Sequence, residues 1–145
     1  MPLQLISPTL TGVKAMESSD IKFNSKMRMP FGINQQPDSV LLEISDSLGA
    51  AEEDLQDSYK ERIARFLNSC ETWYPLAVEK IKSKDSKPGK IRLLQVFILS
   101  EQNADSMVFG LMFRVDVDVE HGRGLKVDGD TLEILKFGIG DVALS

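Results

Sequence analysis

The stretch Ile91-Arg92-Leu93-Leu94-Gln95-Val96-Phe97-Ile98-Leu99 decides the fold class, because it is apolar enough to be a central strand of a sheet. The residues after it continue as sheet. Met107 to Val119 is predicted as a second, long strand, and Gly122-Arg123-Gly124 as a hairpin bend. Asp128-Gly129 is a tight-turn signal that precedes a last strand over residues 132–137. The C-terminal half therefore predicts an antiparallel meander of three or four strands.

Two helices are predicted before this meander. Apolar residues recur at steps of three and four from Leu48 to Leu67, and charged residues occupy the positions between them. Asp46 or Ser47 is expected to cap this helix. A second apolar stripe runs from Trp73 to Ile81, in which Pro75 is tolerated only in the first turn.

The region before the helices predicts short strands. Val40 to Ile44 is a compact apolar run, predicted as a strand with a helix start as the alternative. Three other short apolar segments could form strands, at residues 3–6, 13–16 and 21–29. The sequence as a whole predicts a single α+β domain over residues 1–145, with an antiparallel sheet and two helices packed on one face. Residues 40–145 would form its core, and residues 1–39 would add N-terminal strands.

Composition narrows the classes of partner. The 145 residues are 42% hydrophobic and 27% charged, as in folded domains. Seventeen basic residues against 22 acidic ones give a net charge of -5, which disfavours nucleic acid and anionic membranes and favours a basic protein partner. The alternative is that this charge only maintains solubility. The single cysteine, Cys70, excludes a disulfide within the chain, and residues 1–16 lack the pattern of a secretory signal, so a cytoplasmic protein is expected.

The candidate binding residues are acidic. Asp116, Asp118 and Glu120 are spaced two apart, so on a strand they would project from one face. A calcium loop that began at Asp116 would need glycine and glutamate where His121 and Val127 stand, so no metal site is predicted. A solvated sheet face is the alternative to a carboxylate surface that meets a basic partner. A further acidic group, Glu52, Glu53 and Asp57, lies on the first predicted helix.

Catalytic signals are weak. His121 is the only histidine, and no serine elbow or suitably placed cysteine accompanies it. Gly122 and Gly124 are too closely spaced for a dinucleotide fingerprint, and no phosphate loop occurs. The segment 80–92 is rich in lysine, and the C-terminal end of a helix favours lysine side chains, so we interpret this cluster as structural. We therefore expect no catalytic residue, no cofactor and no enzymatic activity.

Residues 117–130, together with the final segment Ile139 to Ala143, resemble a group of small bacterial domains of unknown function with a Glu-His-Gly bend. Domains of this group look like proposed immunity proteins of the contact-dependent growth inhibition (CdiI) type. The resemblance implies a cytoplasmic, acidic, non-catalytic protein that binds and neutralises a cognate toxin, commonly a basic nuclease. The partner-binding residues would then be Glu52, Glu53, Asp57, Asp116, Asp118, Glu120 and His121.

Two other functions stay open at this point. One is a small-ligand-binding or regulatory module without catalysis, with a pocket between the helices and the sheet. The other is an enzyme centred on Glu120 and His121. The sequence leaves the oligomeric state open.

Overall fold

A six-stranded sheet forms the centre of the computed structural model, which describes residues 13–144. Its strands lie side by side in chain order: β1 (Arg28–Phe31), β2 (Val40–Ile44), β3 (Ile91–Ile98), β4 (Val108–Val115), β5 (Arg123–Asp128) and β6 (Ile134–Ile139). Two helices, α1 (Asp57–Asn68) and α2 (Cys70–Lys84), connect β2 to β3. The α+β class predicted from the sequence is confirmed. The strand predicted at residues 3–6 lies outside the described residues.

The sheet is not antiparallel throughout, which corrects the prediction. β2 and β3 are parallel neighbours, with Leu42 beside Val96, while the other four neighbouring pairs are antiparallel. The reason is the connection, because α1 and α2 return the chain to the end of the sheet at which β2 began. The predicted meander is present as β3 to β6.

Aromatic rings join both helices to the sheet. The ring of Phe66 on α1 stacks on Phe109 of β4 at a centroid distance of 3.9 Å and on Trp73 of α2 at 4.9 Å. Tyr74 of α2 meets Phe113 of β4 edge-on at 5.8 Å. Residues four apart on a strand lie on the same face, so both helices contact one face of β4.

The C-terminal turn occupies the other face of the sheet. This 3-10 turn, Gly140–Ala143, lies over Gly110 of β4 and Gly124 of β5. A β-carbon added at Gly110 would overlap the carbonyl oxygen of Ala143, and one at Gly124 would lie 2.7 Å from the carbonyl oxygen of Gly140. Glycine is needed here because the backbone approaches the sheet more closely than any side chain would allow.

The predicted long strand ends earlier than expected. β4 stops at Val115, and Asp116–Asp118 form a 3-10 turn. Val117 and Val119, which a strand continuing to residue 119 would place on the face opposite the carboxylates, are each 56% exposed. The turn is held from outside the strand, because the amide of Asp116 donates to the carbonyl of Lys90 and that of Val117 to the carbonyl of Pro88.

The first helix also begins later than predicted. α1 starts at Asp57, and the preceding residues form two short 3-10 turns, Asp46–Leu48 and Glu52–Asp54. Gln56 holds the N-cap position of α1 and its amide donates to the side chain of Gln102 at 2.7 Å, whereas Asp46 and Ser47 lie in the earlier turn and do not cap this helix. Glu52 and Glu53 therefore lie before α1, and Asp57 is its first residue.

The second helix and the N-terminal region bring two more corrections. α2 begins at Cys70, which makes Pro75 its sixth residue, beyond the first turn. At the start of α2, the carbonyl of Ser69 accepts hydrogen bonds from the N–H groups of Thr72 and Trp73. Among residues 13–39, only 28–31 form a strand. No helix within residues 13–144 is long and apolar enough to cross a membrane.

Candidate protein-binding surface

The two predicted sets of acidic residues lie at opposite ends of the sheet. α1 begins beside the end of β3, where the hydroxyl of Tyr59 donates to the carbonyl of Ser100 at 2.8 Å. The turn that contains Asp116 follows Val115, which pairs with Ile91 at the beginning of β3. We call the first region the acidic end (Glu52, Glu53, Asp54, Asp57 and Glu101) and the second the paired end (Asp85, Asp116, Asp118, His121 and Arg123).

At the acidic end most carboxylates are exposed and unpaired. The side chains of Glu53, Asp54 and Asp57 are exposed and contact no cationic group within residues 13–144. Glu52 differs, because it bonds to the Lys60 ammonium at 2.7 Å and accepts the amide of Phe23. Burial alone would raise the pKa of Glu52, but these hydrogen bonds lower it below the ordinary value.

An open cavity of about 310 Å³ lies among these acids. Its wall includes Asp54, Glu101 and Gln102, together with Tyr59. Burial raises the pKa of Tyr59 to about 12, so its hydroxyl remains protonated and continues to donate to Ser100. A cavity with carboxylates and amide oxygens at its wall has the chemistry to accept a cationic side chain.

At the paired end an arginine holds two carboxylates. The Arg123 guanidinium binds Asp85 through two bonds of 2.9 and 3.0 Å and reaches Asp118 at 3.0 Å. The Arg123 side chain is only 13% exposed. Its hydrogen bonds hold the pKa of Asp85 and the pKa of Asp118 below their ordinary values. This cluster ties the end of α2 to the beginning of β5.

The remaining predicted residues at this end also have mainly internal partners. Asp116 accepts the Lys90 amide at 2.9 Å and the Arg114 guanidinium at 2.8 Å, and these bonds lower its pKa. The His121 ring lies 3.0 Å from Asp118, whose hydrogen bond and charge raise the histidine's pKa. Glu120 is exposed and forms no ion pair with a lysine or arginine of residues 13–144, although its charge contributes to the raised pKa of His121.

The structure thus separates the seven predicted residues. It bonds Asp118 to His121 and places Asp116 in the same 3-10 turn as Asp118, but with separate partners and not in a row on one strand face. It places Glu52, Glu53 and Asp57 together at the far end of the sheet. Sequence reasoning missed Arg123 and Asp85, because they are 38 positions apart and no local pattern joins them.

Two further observations bear on chemistry. Cys70 is buried, its thiol lies 3.4 Å from the side-chain oxygen of Gln35, and burial raises its pKa to about 12, so little reactive thiolate forms at neutral pH. Within residues 13–144, no group of three or more His, Cys, Asp or Glu side chains is arranged to hold a metal ion. No family model, curated protein or solved structure matches this chain.

Proposed function

We propose that the protein binds a basic protein through its acidic end, as a cytoplasmic immunity protein that neutralises a cognate toxin. The observation that carries this proposal is that Glu53, Asp54 and Asp57, close together in the chain before and at the start of α1, are exposed and pair with no cation of residues 13–144. The net charge of -5 supports it, because a field of that sign speeds the encounter with a basic protein.

The local chemistry also favours a cationic partner. Carboxylates that lie close together repel one another, and that repulsion is relieved when lysine or arginine side chains of a partner come between them. The cavity beside Asp54 and Glu101 would seat one such side chain, which would be the anchor of the interface. Glu52 would contribute less, because Lys60 already neutralises it.

The paired end has a different role in this proposal. Asp116 and Asp118 are already bonded to arginine side chains, so a partner would have to displace those bonds before it could use them. We therefore assign these two residues, and His121 with them, to the stability of the fold. Glu120 stays an exposed carboxylate that could add to long-range attraction.

The test uses two triple variants of equal charge. E53Q/D54N/D57N removes three carboxylates at the acidic end, and E79Q/D130N/E133Q removes three exposed, unpaired ones elsewhere in the described chain. The tagged wild type would capture its partner from the source cells at low salt, and calorimetry would then give the affinity of each variant for that purified partner. We expect the acidic-end variant to bind at least about tenfold more weakly, which is a loss of about 1.4 kcal/mol.

The control triple should bind within about threefold of the wild type, since that corresponds to less than about 0.7 kcal/mol. Equal binding by the acidic-end variant and the wild type would refute this interface. If both triples weakened binding equally, overall charge would be responsible and the acidic end would have no special role.

The small-ligand alternative has less support. Its pocket was expected between the helices and the sheet, and at the centre of that layer Trp73 and Phe109 each stack on Phe66. A metabolite that remained bound through purification would favour it. Full biological activity of a His121→Ala variant would exclude the enzyme alternative.

A further inference from the structure

The two outer strands of the sheet differ in how their free edges are protected. β1 contains Pro30, and Asn24 caps the strand. The Asn24 amide donates to the carbonyl of Arg28 at 2.9 Å, and the Asn24 side-chain oxygen accepts the Arg28 amide at 3.1 Å. β6 contains no proline, and within residues 13–144 its backbone bonds only to β5. The outer N–H and C=O groups of β6 can therefore accept another strand.

Three lysines stand beside this open edge. A cavity of about 280 Å³ between the end of α2 and β6 is lined by Lys80, Lys84 and Lys136 and by apolar residues of the strand. Lys80 and Lys84 are four residues apart, which puts them on one side of α2. None of the three has an acidic partner within residues 13–144. The edge is therefore positively charged, although the protein as a whole is acidic.

The strand also offers apolar contact. Leu135 is 49% exposed and Ile139 is 47% exposed. Leu135 is the extra residue of a bulge, since Lys126 pairs with Lys136 and the next residue, Val127, pairs with Ile134. Lys136 to Ile139 pair regularly with β5, and this regular part is where an added strand would find an undistorted edge.

The positive charge of this edge favours an acidic segment over a second copy of this chain. In a symmetric pairing of two β6 strands, the lysine groups of both copies would come together and repel. An extended segment with acidic residues at alternate positions would instead direct all of its carboxylates to one side of the sheet. Those carboxylates would meet Lys80 and Lys84 on the helix side.

We infer that the outer edge of β6 binds an extended acidic segment of another protein as an added strand. This surface is separate from the acidic end in position and opposite to it in charge, so the inference does not rest on the proposed function. The backbone bonds would supply affinity, and the lysines would supply the preference for acidic sequence.

The test uses a synthetic blocked heptapeptide of alternating glutamate and valine, with a lysine–valine heptapeptide as its control. Both are added to the full ¹⁵N-labelled chain, and amide hydrogen exchange is followed by NMR. We expect the acidic peptide to slow exchange of the outward amides of β6 at least about tenfold, and the basic peptide to leave them unchanged. The K80Q/K84Q variant should bind the acidic peptide at least about fivefold more weakly than the wild type. The control variant K82Q/K87Q, which has the same net charge, should bind it about as tightly as the wild type.

Three outcomes would overturn the inference. The first is no binding of the acidic peptide, or protection that lies away from β6. The second is equal weakening by both lysine variants, which would mean that net charge alone attracts the peptide. The third is a dimer in the absence of peptide with β6 protected, in which case a second copy of this chain occupies the edge.

Discussion

The two ends of the sheet both carry acidic side chains, but they differ in what those side chains contact. At the paired end Asp85, Asp116 and Asp118 each bond to an arginine. At the acidic end Glu53 and Asp57 have no cationic partner within residues 13–144. The difference teaches that acidic residues which look equivalent in a sequence divide into structural and displayed groups according to the cations that the fold brings to them.

The paired end should be the more important of the two for stability. Arg123 joins the end of α2, the turn after β4 and the beginning of β5 through bonds to Asp85 and Asp118. The corresponding link at the acidic end uses neutral groups, since Gln102 accepts the amide of Gln56 and donates to the carbonyl of Asp54. Loss of the Glu53, Asp54 and Asp57 charges should therefore leave that link intact, while Glu52 keeps its bonds to Lys60 and Phe23.

Removal of Arg123 is the largest expected effect. R123A leaves Asp85 and Asp118 without their cation, and we expect it to lower the free energy of unfolding by about 2 kcal/mol, less than for a fully buried pair because both acids reach solvent. Urea unfolding at neutral pH would measure it. R65A, which removes an exposed arginine of α1, should change stability by less than about 0.5 kcal/mol. If the two variants were equally stable, the paired end would not support the fold as we describe.

The Asp85 bond should be visible as a pH dependence. Because the Arg123 bond lowers the pKa of Asp85 in the folded state, the stabilisation is complete above the unfolded value of about 4 and is lost as pH falls through the folded value. D85N should therefore be less stable than the wild type at pH 7, and the gap should narrow as the pH falls below about 4. Unfolding curves from about pH 7 to pH 2 would show this. A gap that stayed constant with pH would contradict the assignment.

The smallest loss of stability is expected at His121, and its pH dependence should run in the opposite direction to that of Asp85. Asp118 raises the pKa of this histidine, so its stabilisation is complete below the unfolded value of about 6.5 and is lost as pH rises through the folded value. H121Q should be slightly less stable than the wild type at about pH 5.5 and equal to it at about pH 9. Thermal unfolding at the two pH values would measure the difference. A deficit that grew with pH would be contrary to this ion pair.

Much of the fold could be predicted from local pattern. β3 was expected within one residue of its observed end, because its apolar run is long and continuous. The turn at Asp128-Gly129 was predicted from turn chemistry, and the last strand, predicted from apolar residues over 132–137, lies at Ile134–Ile139. The α+β class followed from these elements and the two helical stripes.

The incorrect predictions are explained by contacts between residues that are far apart in the sequence. The alternation from Val115 to Val119 predicts a strand, but the amides of Asp116 and Val117 bond to the loop before β3 and turn the chain. Just before α1, the amide of Gln56 bonds to Gln102, which is 46 positions away. The pairing of Arg123 with Asp85 likewise depends on the fold. The division of the candidate acidic residues into two groups could not be seen without it.

The most direct test compares two matched double neutralisations, D116N/D118N and E53Q/D57N, by urea unfolding at pH 7. Each removes two carboxylates from one of the sets that the sequence offered as partner-binding residues. We predict a clear loss of stability for D116N/D118N, since bonds to Arg114 and Arg123 are weakened, and a change within about 0.5 kcal/mol for E53Q/D57N. Equal stability of the two variants, or a larger loss in E53Q/D57N, would contradict the division between a paired end and an acidic end.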